Sequence, residues 1–268
     1  MPDALPETSP DARTLAELAA QLELLLRLRT LPIGMKLFES LDEMGAVPGL
    51  RRPGKGKTFS TCQLVTQSRI AGFTLGISTE NVPEFSNCSG VIGLSPPSEL
   101  FLSGRKMEGV WFENREASAA HQAHMTRVPA GRYNGLVVSP LRTARLDPPD
   151  VCLFYANPAQ MILFINGLQW KNYRRYEFSV TGETACADSW GRALAKREVS
   201  MSIPCYAERR YGGVADDELL MALPCADLAR AVEGLQGLSK AGLRYPIMPY
   251  GPQAEPAEGM AKSYGGKS

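Results

Sequence analysis

Residues 184–194, T-A-C-A-D-S-W-G-R-A-L, set a cysteine between two small residues, follow it with an aspartate and then run on as the start of a helix. A thiol at a helix start lies in the positive end of the helix dipole, which favours the thiolate as nucleophile or metal ligand. An earlier stretch, N-C-S-G-V-I-G-L at 87–94, has the same form. Each follows a short apolar run, G-F-T-L-G-I-S at 72–78 and Y-E-F-S-V at 176–180. Aligned in this way, Cys88 and Cys186 become equivalent positions in two halves, each opening a helix after a strand.

Working outward, apolar runs alternate with helix-like segments. The first series is I-G-M-K-L-F-E, the Cys62 segment, F-T-L-G-I-S, the Cys88 segment, G-V-W-F-E, R-E-A-S-A-A-H-Q-A-H-M and Y-N-G-L-V-V-S-P. The second is V-C-L-F-Y-A, the apolar segment 158–170, Y-E-F-S-V, the Cys186 segment, E-L-L-M-A-L-P and a helix over 226–238. Alternation of this kind predicts an α/β fold. We read two similar α/β halves from an internal duplication, half one about 30–140 and half two about 150–238. An N-terminal helix precedes them, since Leu15, Leu18, Leu22 and Leu25 recur at spacings of three and four. The globular domain spans 13–248, with a Pro-rich and acidic leader at 1–12 expected to be disordered and a flexible polar tail at 249–268.

Composition limits the partners. The 268 residues are 44% hydrophobic and 21% charged with a net charge of +1, which argues against nucleic acid. No apolar run approaches the ~18 residues of a membrane span and the N-terminus lacks signal-peptide character, so a cytoplasmic protein without membrane contact is expected. Its oligomeric state is not encoded in any motif, and a homo-oligomer is compatible with the sequence.

In a reducing cytoplasm the six cysteines are expected as thiols, metal ligands or catalytic groups rather than disulfides. Small or polar neighbours flank Cys62, Cys88 and Cys186, whereas Cys152 in D-V-C-L-F-Y reads as a plain strand residue and Cys225, beside Pro224, as a helix cap. Cys205 stands in S-I-P-C-Y-A-E-R-R-Y-G-G-V-A-D-D-E-L, the densest polar run of the chain. There Arg209 and Arg210 could hold a carboxylate in a bidentate fork, against the plainer reading of a surface loop whose charges pair among themselves. His121 and His124, the two histidines, share a helix face without a nearby carboxylate and are expected as ordinary polar residues rather than a metal pair. G-K-G-K-T at 54–58 lacks the spacing of a phosphate loop and reads as a basic loop.

An ordered series of motifs resembles the domain of unknown function 169 family over about residues 30–238. The series runs T-L-P-I-G-M-K-L-F, T-C-Q, N-C-S-G, V-P-A-G-R-Y, V-V-S-P-L, P-D-V-C-L-F-Y-A-N-P-A-Q, A-C-A-D and R-Y-G-G-V-A-D-D-E-L-L-M-A-L-P. The resemblance implies cysteines at the places of Cys62, Cys88, Cys186 and Cys205, and ordinary apolar positions at Cys152 and Cys225. Where relatives carry a C-P-G-G turn, this chain has C-S-G-V.

These readings converge on one expectation. Cys62, Cys88, Cys186 and Cys205 meet and ligate a metal, first an iron-sulfur cluster of the [4Fe-4S] type and alternatively zinc. Arg209 and Arg210 would orient a small anionic organic substrate, with Asp188, Asp216 or Glu218 as acid or base, in lyase or redox chemistry. Two rival expectations stand beside it: a non-catalytic small-anion binding or accessory protein whose thiols merely pack, and a thiol enzyme with Cys88 or Cys186 as nucleophile.

Overall fold

The computed structural model describes residues 10–54, 56–82 and 86–248; most of the leader and all of the tail lie outside them. Its frame is a six-stranded antiparallel sheet of β1 (Ile33–Phe38), β2 (Leu75–Ser78), β3 (Gly135–Pro140), β4 (Val151–Ala156), β5 (Ser200–Ser202) and β6 (Leu219–Leu223), in the order β2-β3-β1-β4-β6-β5. The strands read as continuous apolar runs because helices cover both faces. The chain is α/β as expected.

One face carries α1 (Ala12–Leu26), α7 (Pro158–Leu168) and α10 (Cys225–Lys240). Asp11 caps α1 through the Thr14 N–H at 2.7 Å, and Arg27 ends it in a left-handed conformation. Leu15, Ala19, Leu22 and Leu26 form its buried stripe, each leucine contributing about 2 kcal/mol by burial. Helices α7 and α10 approach closely at Gly167 and Gly234; a Cβ on Gly167 would stand 2.7 Å from the Ala231 carbonyl. Below them Phe154 and Phe164 meet edge to face, and Met221 and Leu223 complete the layer.

The opposite face holds α3 (Thr61–Ala71), α4 (Asn87–Val91), a π-helical turn (Ala187–Gly191), α8 (Arg192–Lys196) and α9 (Tyr206–Gly212). Trp190, Leu64, Val65 and Val91 pack there on Met35, Leu136, Leu153 and Leu220. The short helices α2 (Leu41–Gly45), α5 (Glu99–Leu102) and α6 (Arg115–Ala123) close the first half.

The strand order reads the same from either edge, with β1, β3 and β2 answered by β4, β6 and β5. The expected match of residues 72–78 with 176–180 is not seen. Residues 176–180 form no strand, and β5 occupies the place of β2 in the second half. In chain order Cys88 follows β2 and Cys205 follows β5, while Cys62 and Cys186 each precede the outer strand on their side of the sheet. The expected pairing of Cys88 with Cys186 rested on two apolar runs, one of which lies extended and largely exposed.

A second correction concerns the remaining cysteines. Cys152 and Cys225 are joined as a disulfide, with Cα atoms 5.4 Å apart. Cys152 faces Leu223 across the β4/β6 ladder, and the chain turns into α10 two residues later, which brings Cys225 over the same face. Strand and cap positions, each ordinary on its own, become partners only through this register. Among the described residues no helix is long and apolar enough to cross a membrane.

Candidate functional site

The four remaining cysteines come together over the second face of the sheet. Cys62 is the second residue of α3, whose start is fixed by a capping box between Ser60 and Gln63. Cys88 holds the same place in α4, capped by Ser86. Cys186 precedes the π-helical turn and Cys205 is the N-cap of α9. The Cys186 thiol donates to the Cys88 sulfur at 3.3 Å. Cys62 also hydrogen-bonds to Cys88.

Electrostatics divide the four. Hydrogen bonds from Cys186 and then from Cys62 hold the Cys88 thiol well below its ordinary pKa. The donors pay the reciprocal effect: Cys62 is raised well above its ordinary value, first by that bond to Cys88, and Cys186 is raised well above, first by burial. Burial, with the charge of Glu208 next, pushes Cys205 up to about 12. Cys88 is thus the most acidic thiol of the four, served by two thiol donors.

Beneath it runs a buried polar chain. Glu208 accepts from the Tyr155 hydroxyl at 2.9 Å and from the Cys205 N–H at 3.3 Å, and burial raises its carboxyl to about 7. Tyr155 lies under the Arg69 guanidinium at 4.1 Å, and Arg69 pairs with both oxygens of Glu218 at 3.0 and 3.2 Å. A second carboxylate, Glu183, hydrogen-bonds to the Cys205 side chain and accepts from the Tyr206 N–H at 3.1 Å. Thr184 beside it adopts φ +62°, costly for a β-branched residue. Asn87 holds it there by donating to its hydroxyl at 2.9 Å.

Cys62, Cys88 and Cys205 face a cavity of about 460 Å³, shared with Ser60, Asn87, Lys106, Met107, Trp111, Glu183 and Tyr211; Cys186 lies behind Cys88. Of the residues expected to serve a substrate, none lines this cavity. Arg209 donates to the Ala215 carbonyl at 2.6 Å, with the exposed Asp216 at 3.8 Å, and Arg210 is exposed. Asp188 accepts from the Thr181 N–H and hydroxyl at 2.7 and 2.9 Å, and Glu218 is tied to Arg69. Arg209, Asp188 and Glu218 are thus tied to backbone or to Arg69 away from the cavity. The histidines are also engaged, His121 Nε2 at 3.0 Å from the Glu183 carbonyl and His124 Nδ1 at 2.8 Å from that of Ala120. Among the described residues, no three His, Cys, Asp or Glu side chains are disposed around a point where one metal ion could sit.

The model of the DUF169 family, described as uncharacterised ArCR, matches residues 21–234. The chain belongs to the DUF169 family. The matched span contains all four cysteines of the cluster and all six strands. Another relative is the "Uncharacterized protein MJ0308" of Methanocaldococcus jannaschii, 22% identical over 89 residues, a third of this chain (33%) and 38% of that protein. The match therefore spans well under half of that relative's length. No solved structure matches the chain.

Proposed function

We propose that this DUF169 protein is a cysteine-ligated metal protein in which Cys62, Cys88, Cys186 and Cys205 hold an iron-sulfur cluster, and that it acts as a lyase or oxidoreductase on an organic acid bound in the adjoining cavity. The observation that carries the reading is the meeting of four thiols from α3, α4, the π-helical turn and α9 beside one cavity. Four thiolates are the donor set of [4Fe-4S] centres and of structural zinc. A single ion needs its sulfurs about 2.3 Å from a common point, whereas a cluster distributes its ligands over several irons. Ligation also requires the thiols to lose their protons, and Glu183 and Glu208 are the carboxylates in reach of Cys205. When bound, such a centre supplies a Lewis-acidic iron or an electron couple.

The test is anaerobic purification with iron, zinc and acid-labile sulfide analysis and a visible spectrum, comparing wild type with Cys186→Ala. About four irons and four sulfides per chain, lost in the variant, is the expected result. A colourless, metal-free, folded wild type overturns the reading. The Cys88 thiol, made more acidic by two thiol donors and close to a carboxyl raised to about 7, favours one second reading: thiol chemistry with Cys88 as nucleophile.

A further inference from the structure

The mouth of the cysteine cavity has a chemistry of its own. In the segment after α5 the Gly109 N–H donates to the Phe112 carbonyl at 2.7 Å, closing a tight turn that throws Val110 and Trp111 outward. Val110 is 72% exposed, Trp111 43% and, facing them from α9, Tyr211 63%. Large apolar side chains are rarely left in water singly at such density without a partner to cover them. Phe101 and Met107 continue the apolar wall inward. Trp111 is held on one side by an edge contact with Tyr206, ring centres 5.3 Å apart, so its orientation is set before any ligand arrives.

Polar groups gather with the cysteines, where Ser60, Asn87, Glu183 and Thr184 line the cavity, and Lys106 adds an exposed cation to the lining. The exposed part of the lining is therefore Val110, Trp111 and Tyr211 with the Lys106 cation. Its volume of about 460 Å³ lies in the range of small-molecule sites. A three-carbon acid, with the volume of roughly three or four waters of ~30 Å³ each, would leave the aromatic rim uncovered. A protein partner would instead require a contact of about 800 Å² per side, and a concave mouth of this size is not that surface.

We infer that the ligand is an acid bearing a flat apolar ring, its ring against Trp111, Val110 and Tyr211 and its carboxylate toward Lys106, the cation that the lining supplies. This rests on the proposed reading that the cavity is the substrate site, and it narrows the organic acid to an aromatic one. Indole faces favour stacked or edge-on ring partners over flexible aliphatic chains.

Calorimetric titration of the anaerobically purified full chain with benzoate, cyclohexanecarboxylate and propionate tests it, with iron and sulfide measured on the same preparation. Benzoate is expected to bind at least about tenfold more tightly than propionate, with cyclohexanecarboxylate between them, and Trp111→Ala to lose about tenfold for benzoate alone. Equal affinities for the three acids, no binding up to about 10 mM, or an unchanged Trp111→Ala overturns the inference. So does a dimer that Val110→Asp dissociates while leaving benzoate binding unaltered, because the rim is then a subunit contact. Tryptophan-dependent benzoate binding by metal-free protein keeps the ring and removes the cluster; a full cluster with no preference for benzoate does the reverse.

Discussion

The sulfur of Cys186 stands 3.3 Å from that of Cys88, although 98 residues of chain separate them. Because Cys88 receives this thiol's hydrogen bond and another from Cys62, it is the thiol of the group that gives up its proton most readily. It is also the one free cysteine of the four that is not fully buried. Alkylation of chelator-treated protein with iodoacetamide at pH 7 is expected to mark Cys88 first, and Cys186→Ala to slow that labelling by removing the principal donor. Peptide mass spectrometry over a time course reads both; first labelling at Cys205 would contradict the assignment.

The Arg69–Glu218 pair is buried on both sides, 2% and 4% exposed, and it supports Tyr155 from above. Removing one partner strands the other charge in the interior. Arg69→Met and Glu218→Gln are each expected to lower stability by about 3–5 kcal/mol, seen as a shift of the urea midpoint. Arg69→Met combined with Glu218→Leu should recover part of that loss, since no lone charge then remains.

Glu208 makes stability depend on pH. Its folded pKa is raised from the ordinary 4.5 to about 7, so the folded chain retains a proton that the unfolded chain releases. The stabilisation is fully present below about pH 4.5 and disappears as pH rises through about 7. The metal-free wild type is expected to lose on the order of 3 kcal/mol across that window relative to Glu208→Gln. Urea denaturation at pH 5 and pH 8 measures the difference, and parallel pH profiles for the two proteins would count against a neutral buried carboxyl.

The Cys152–Cys225 disulfide closes a loop of 73 residues, which restricts the unfolded chain by roughly 4 kcal/mol in the loop-entropy account. Cys152→Ala, Cys225→Ala and the double variant are expected to lose about the same amount, because any one of them opens the bridge. Thermal unfolding compares the three, and the unreduced intact mass should fall short of the reduced mass by two hydrogens. The bridge acts on the face away from the thiol cluster, so thiolate labelling at Cys88 should not change.

Local context in the chain separated Cys62, Cys88, Cys186 and Cys205 from Cys152 and Cys225, because flanking small residues mark helix starts and flanking branched residues mark strands. What escaped it depended on the third dimension. The disulfide needs the β4/β6 register. Glu208 sits in A-E-R-R-Y and reads as one more surface charge; the signal available was its place three residues after Cys205, the N3 position of a capping box. Asp216, Arg209 and Arg210 looked chemical because they are dense, yet density on a loop satisfies itself. G-V-W-F-E reads as a strand by its apolar content, but the Gly109 turn makes it a rim instead.

The palindromic sheet has a narrow middle. β1 and β4 pair through only Ile33, Gly34 and Met35 against Leu153, Cys152 and Val151, whereas β1 and β3 run together over six residue pairs. The halves meet along a short seam, and the sulfurs straddle it, Cys62 and Cys88 from one side, Cys186 and Cys205 from the other. The Cys186–Cys88 hydrogen bond crosses this seam together with the Arg69–Glu218 pair and the Thr66–Gly212 bond, so on this face side chains stitch what the short ladder leaves unpaired.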